Sequence, residues 1–411
     1  LTVSFLRRLP TSRLIVVCVM AVALIGGGAA VAVAALSTSA GAPPPKPLPQ
    51  AVHDALAAPK LPGVTARIRF TNKLIDDSSV EGGSALLKGA TGRLWATEGH
   101  LRLELQSGSG DVQILADDQR FSLYDASSNT VYRGTIPKEK GSARKDTKKQ
   151  AHQIPTVAKI QEWINHAMRD ASVSGAIPST VAGQPTYTVR VGPKHDGGLL
   201  GAGEVAWDAV RGVPLRAAVY AQGSDTPVLE LTATEINYGA VPAGDFAVAP
   251  PSNAKVVQVS QPSGNAARSR AHAAKRAHES KHVRGLAAVQ AAVPFKLSAP
   301  DKLVGLPRRE VKLLEWGGKP AALVAYGQNL GGVAVIERSP DPAKPAKTGT
   351  QRRSGERRGN VKLPTLSVNG ASGTELATAL GTVVTFDRGG VSYTVVGSVP
   401  PAAAEAAARG L

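Results

Sequence analysis

Four groups of residues in this chain are of types that could do chemistry. His272, His278 and His282 carry the imidazoles that zinc sites use, but they stand among arginines in a stretch without apolar periodicity and read as an incidental polar tract. His195-Asp196 precedes Gly197-Gly198 and would need a remote serine to complete a triad. No nucleophile elbow is present, so the pair reads as a solvated loop. Gly317-Gly318-Lys319 hints at a phosphate loop, yet Leu313 stands where the earlier glycine is required and Pro320 replaces the Ser or Thr, leaving a turn. Glu162 with Asp170, and Glu204 with Asp208, form no isolated, tuned carboxylate pair and read as solvent-face charges. The expectation is a protein without enzymatic activity, metal or cofactor.

The elements then carry the reading. Leu14 to Leu36 is an uncharged run of 23 mostly apolar residues directly after Arg7, Arg8 and Arg13. As a helix it would reach roughly 34 Å, enough for a bilayer core of about 30 Å with some tilt. The arginines should stay cytoplasmic, which places the rest outside as the exported part of a single-pass membrane protein. A cleaved signal peptide is the competing expectation, with Ala32-Val33-Ala34 as a cleavage-like site and a secreted product. Cys18, the only cysteine, lies within this run, so the exported part has no disulfides and is held by burial alone.

The formal charge of +17 suggests nucleic acid until it is mapped. Arg7, Arg8 and Arg13, then Lys138 to Lys149, Pro262 to Arg284 and Arg338 to Gly359 hold the whole excess, and all three later segments are low in hydrophobicity. They read as disordered, solvated linkers or as weak attraction to anionic headgroups, and nucleic acid is not an expected partner.

Between these segments the apolar period is two. Gln50 to Ala57 reads as a short helix ended by Pro59, after a Pro-rich spacer. Ile68 and Phe70, then Leu101, Leu103 and Leu105, then Ile114, then Phe121 and Leu123 alternate with polar residues and are separated by Gly, Asp, Ser and Asn turns. A helix over about Thr156 to Ala171 carries Trp163, Ile164 and Met168. Strands resume with Val189, Val205 and Trp207, Leu215 and Val219, and Leu229 and Leu231. The expectation is one antiparallel sheet of roughly eight to eleven strands, apolar on one face, curled, and covered there by helices.

The succession of anchor, short helix, long meander, helix, and then Val205-Ala206-Trp207-Asp208 running through Gly212-Val213-Pro214-Leu215-Arg216 resembles the LolA-like lipoprotein-carrier superfamily, including RseB-like sensors. Gly239 to Val256, with Phe246 and Pro250-Pro251, is similar to that family's end of the domain. The resemblance covers residues 50 to 260. It implies an unclosed barrel with a helical lid and an apolar hollow for acyl chains, in which each buried methylene is worth about 0.8 kcal/mol.

Beyond the basic linker, taken as residues 261–292, a smaller α+β unit over 293–411 is expected, with a basic insertion near 338–360. Its expected elements are strands at Ala321 to Tyr326 and Val333 to Ile336, a short helix at Thr374 to Leu380, a hairpin turning at Asp387-Arg388-Gly389-Gly390, and a final helix Pro401 to Arg409. It resembles the C-terminal domain of RseB-like regulators.

The whole predicts an α+β, membrane-tethered binding protein. Residues 1–13 would be cytoplasmic, 14–36 the anchor, 37–49 a spacer and 50–260 the lipid-binding domain. Its ligand would be lipid or lipoprotein acyl chains, held by Ile68, Phe70, Leu101, Leu103, Leu105, Ile114, Phe121, Leu123, Val189, Trp207, Leu215, Val219, Leu229 and Leu231, with Trp163, Ile164 and Met168 as lid. The rival expectation is a regulatory module that docks another envelope protein, such as an anti-sigma factor.

Overall fold

The computed structural model describes residues 41–75, 85–136, 154–195, 197–259, 283–316, 318–340 and 363–411. No helix among them is long and apolar enough to cross a membrane. Leu14 to Leu36, the three linker histidines and the basic insertions lie outside the described residues.

Helix α1 (Leu48–Ala57) leads into β1 (Val64–Asn72) and the single helical turn α2 (Ala85–Lys88). Strands β2 (Ala90–Thr97), β3 (His100–Gln106), β4 (Val112–Asp117), β5 (Arg120–Asp125) and β6 (Thr130–Thr135) follow as successive hairpins. After α3 (Val157–Ala167) come β7 (Ala171–Val173), β8 (Ile177–Val181), β9 (Gln184–Pro193), β10 (Leu200–Asp208), β11 (Pro214–Ala221), β12 (Pro227–Tyr238) and β13 (Lys255–Val259). They form one 13-stranded sheet in the order β13-β6-β5-β4-β3-β2-β1-β12-β11-β10-β9-β7, with β8 also on β9. Two meanders are thus joined back to back by the pairing of β1 with β12.

The second unit comprises α4 (Leu286–Ala292), β14 (Lys302–Leu303), β15 (Leu306–Trp316), β16 (Lys319–Tyr326), β17 (Val333–Arg338), β18 (Thr365–Val368), β19 (Ala371–Thr378), β20 (Gly381–Arg388), β21 (Val391–Gly397) and α5 (Pro401–Arg409). Its eight strands make a curled, open half-barrel. Val324, Val335, Val384 and Val395 are fully buried there beneath Val289 of α4 and Ala404, Ala407 and Ala408 of α5. The two units touch where the Leu199 N–H donates to the Ser398 carbonyl at 3.0 Å and the Ala379 N–H to that of Leu74 at 2.8 Å.

The α+β class and the curved sheet agree with the sequence reading. Several details differ. Thr374 to Leu380 is not a helix: Ala371–Thr378 is a strand between β18 and β20, where the Thr374 and Thr385 hydroxyls meet at 2.8 Å. Helix-forming Glu375, Leu376 and Ala377 yield to two flanking strands, as tertiary pairing overrides weak local propensity. The sheet has more strands than expected, and one pair, β13 on β6, is parallel. The helix bearing Trp163 stops at Ala167, and Ala171–Val173 becomes an edge strand of the sheet. Residues 286–292, assigned to the linker by composition, form α4, whose Val289 is buried in the second core. The spacer is not free either, because the Tyr187 hydroxyl donates to the Pro44 carbonyl at 2.8 Å and Lys46 bridges to Ala176.

Candidate functional site

Strand pairing assigns each alternating residue to a face. On one side, Ile68 lies beside Gly92 and Ala233, Leu103 beside Leu94 and Ile114, and Ile114 beside Leu123. Ile68, Leu103, Leu105, Ile114 and Leu123 are buried together under Ala85 and Leu86 of α2. This cover escaped the sequence reading, because Gly82-Gly83 marks a turn and the four-residue helix after it is too short to show a period.

At the other end of the same face, α1 supplies Leu48, Ala51 and Val52, and α3 supplies Ile164, against Tyr187, Val189, Val205 and Trp207. The rings of Tyr187 and Trp207 stand 6.4 Å apart and tilted. The Trp207 indole N–H is buried without a hydrogen-bond partner among the described residues. Leu215 is buried as well.

A half-buried apolar strip joins the two clusters, Phe70 and Leu231 packing on the one under α2 and Val189 and Val205 on the one under α1 and α3. One row crosses the sheet as Phe70, Leu231, Ala217, Val205 and Val189; the next crosses as Leu229, Val219 and Gly203 to Val191. Every residue of the first row is only partly buried. The candidate positions therefore divide. Phe70, Val189, Val219, Leu229 and Leu231 form the strip; Ile68, Leu103, Leu105, Ile114, Leu123 and Trp207 pack in the clusters beneath the helices, and Leu215 is buried on β11.

Leu101 and Phe121 are half-buried farther along and border a groove of about 660 Å³ at the ends of β3 to β6 and β13. His100, Arg120, Arg133 and Phe246 also border it, and Phe246 lies 5.5 Å from the His100 ring. It is a separate, polar-rimmed feature, not the hollow expected over the strip.

The lid expectation needs correction residue by residue. Ile164 packs inward, and Ile160 is the fully buried anchor of α3. Trp163 is 51% exposed and Met168 43% exposed, because the stripe that meets α1 and β7 is only wide enough for the two isoleucines.

The opposite face is wired with charge. Arg216 pairs with Glu230 at 2.6 Å and with Glu204, its guanidinium also reaching the Tyr220 hydroxyl at 2.8 Å, while Arg190 lies over the Tyr220 ring. Glu204 is thus part of an ion-pair network on the wet face. Asp208 starts the β10–β11 turn: its carboxylate accepts from the Val210 and Arg211 N–H groups at 2.8 and 2.7 Å and from the Tyr238 hydroxyl at 2.6 Å. These acids hold structure.

No family model matches the sequence, and no curated protein matches it. Among solved structures, the chain is similar to the MucA/MucB complex of Pseudomonas aeruginosa, at 17% identity over 87% of this chain and 96% of that one, with a TM-score of 0.37. It is also similar to MucB alone, at 14% identity over 88% and 96%, with a TM-score of 0.35. A domain assigned to an outer membrane lipoprotein-sorting protein of Vibrio parahaemolyticus aligns at 12% identity over 45% and 89%, with a TM-score of 0.15.

Proposed function

We propose that this chain is an exported, membrane-tethered binding protein that holds an acyl chain of a lipid or lipoprotein on the covered face of its large sheet. The observation that carries the reading is the half-buried strip of Phe70, Leu231, Val219, Leu229 and Val189 that joins the two helix-covered clusters. A linear guest laid across it would bury methylenes at about 0.8 kcal/mol each, and needs no directional contact. The unpaired Trp207 N–H at one end offers a donor to a carboxyl or ester oxygen of the guest. A reading of residues 14–36 as the anchor supports delivery or sensing at the adjacent bilayer.

The test is native mass spectrometry of residues 41–411, which hold every described element, purified without detergent. Co-purified lipid is expected, and Leu231→Arg should remove it. Leu231 suits the substitution because it is half-buried at the margin of the cluster under α2, whereas a charge at the buried Leu103 would stand inside it. A reproducibly empty chain that ignores fluorescent acyl probes, yet captures the exported segment of a membrane regulator, would replace this reading with the docking module.

A further inference from the structure

Helix α3 is held by little. Ile160 is its one fully buried side chain, Ile164 is half-buried, and Trp163 and Met168 face outward. The helix packs on α1, which exposes Leu56 in turn. Around the exposed apolar residues stand Lys159, which is paired with Glu162 at 2.7 Å, Arg169, and Lys194, whose ammonium donates to the Met168 carbonyl at 3.2 Å. Neither Arg169 nor Lys194 has a carboxylate within ion-pair distance among the described residues. An aromatic residue beside outward-facing bases is the pattern of a helix lying in a membrane interface.

Chain length says which partner can reach it. The Pro44 carbonyl is bonded to Tyr187, so the chain is fixed to the sheet there. Only seven residues separate Leu36, the end of the apolar run, from Pro44, and at full extension the eight Cα–Cα steps span at most about 28 Å. The end of the sheet that carries α1 and α3 is therefore confined to the neighbourhood of any bilayer that the run spans.

We infer that the outer face of α3, with Trp163 at its centre and Arg169 and Lys194 at its C-terminal end, docks on the anionic lipid surface beside the anchor. The inference rests on the tethered half of the function proposed above, and not on acyl binding by the strip. Docking would turn one covered end of the strip toward the lipid.

The experiment uses the full chain reconstituted in vesicles of phosphatidylcholine and phosphatidylglycerol in which part of the phosphatidylcholine carries brominated acyl chains. Bromolipid should quench the tryptophan emission of the wild type. At least half of that quenching should be lost in Trp163→Phe, and none in Trp316→Phe, which removes a similarly exposed ring from the second unit. Equal quenching in the wild type and Trp163→Phe, or none in either, overturns the proposal. Covering of this face by a second copy of the chain would give crosslinks through α3 with Trp163 unquenched, and would also overturn it. Alkaline carbonate extraction of the same vesicles reports on the anchor separately. A chain that resists extraction but shows no Trp163 quenching keeps its tether and loses its docking face; an extractable chain with Trp163 quenched does the reverse.

Discussion

The hydroxyl of Tyr238, at the end of β12, donates at 2.6 Å to the carboxylate of Asp208, a side chain with no exposed surface at the end of β10. The Arg211 guanidinium lies 4.3 Å above the same phenol ring and 3.4 Å from the same carboxylate. Burial, and then the hydrogen bond to Asp208, push the phenol's pKa well above its ordinary range. One buried acid thereby fixes the β10–β11 turn to a strand that lies beyond β11.

Removing either partner should be felt in stability and not in any chemistry. Tyr238→Phe deprives the buried carboxylate of one donor, at a cost of about 1–3 kcal/mol. Asp208→Ala strands the two turn N–H groups and the phenol together and should cost about 3 kcal/mol or more. Asp208→Asn keeps one acceptor oxygen and should fall between them. Urea midpoints at unchanged slope measure all three. A Tyr238→Phe midpoint equal to the wild type would show that water replaces the phenol.

The same turn reaches α1. Gly212 has φ +67°, and a Cβ built there would lie 2.3 Å from the Ala55 carbonyl oxygen. Gly223 has φ +72° with nothing nearby. Gly223→Ala should therefore cost only the left-handed backbone penalty of about 1 kcal/mol. Gly212→Ala adds a backbone clash and should cost about 3 kcal/mol, with α1 losing hydrogen-exchange protection before the sheet does. Equal costs for the two would mean that α1 is already loose.

The large sheet was legible in the sequence because its strands alternate apolar and polar residues over five or more positions with turn residues between, as from Leu101 to Gln106. The Asp387 to Gly390 hairpin was legible for the same reason, and Gly389 and Gly390 do take positive φ. What failed was local propensity set against pairing. Glu375-Leu376-Ala377 favour a helix in isolation but lie between two strands. On the candidate site, alternation told which residues share a face, but not how far each is covered. That depends on α2, invisible as a four-residue turn, and on the narrow contact of α3, which left Trp163 and Met168 outside. Tyr238 was missed because a strand-end tyrosine carries no spacing signal toward Asp208, thirty positions earlier.

Contact between the two units depends on a second glycine. Gly198 has φ +60°, and a Cβ there would lie 2.0 Å from the Ser398 carbonyl oxygen. The Ser398 hydroxyl donates to the Leu380 carbonyl at 2.8 Å, which holds the facing loop in place. Gly198→Ala should push the units apart while each keeps its own core. The expected signature is a larger radius of gyration in solution scattering, with denaturation transitions that no longer coincide between probes placed in the two sheets. An unchanged radius would mean that the loop after β9 yields instead.

Glu337 predicts how the second unit responds to pH. Its side chain is fully buried on β17. One carboxyl oxygen accepts from the Ser298 N–H at 2.9 Å, and the other has no partner among the described residues. Burial pushes its pKa up to about 7 from 4.5, against the opposing pull of that hydrogen bond. The nearby Tyr326 hydroxyl is also unpaired, and burial pushes its phenol to about 12. A carboxyl that holds its proton more tightly when folded contributes its full stability below pH 4.5. That contribution falls as pH rises from 4.5 through about 7, by roughly 3 kcal/mol in all, and is level above that. Glu337→Gln keeps an acceptor for Ser298, removes the ionisation, and should abolish the slope across this window. The variant should then be more stable than the wild type at pH 8 and close to it at pH 4. Parallel urea-denaturation series at pH 4, 6 and 8, read in the second unit, decide it; identical slopes for wild type and Glu337→Gln would mean that the carboxylate finds water when it ionises.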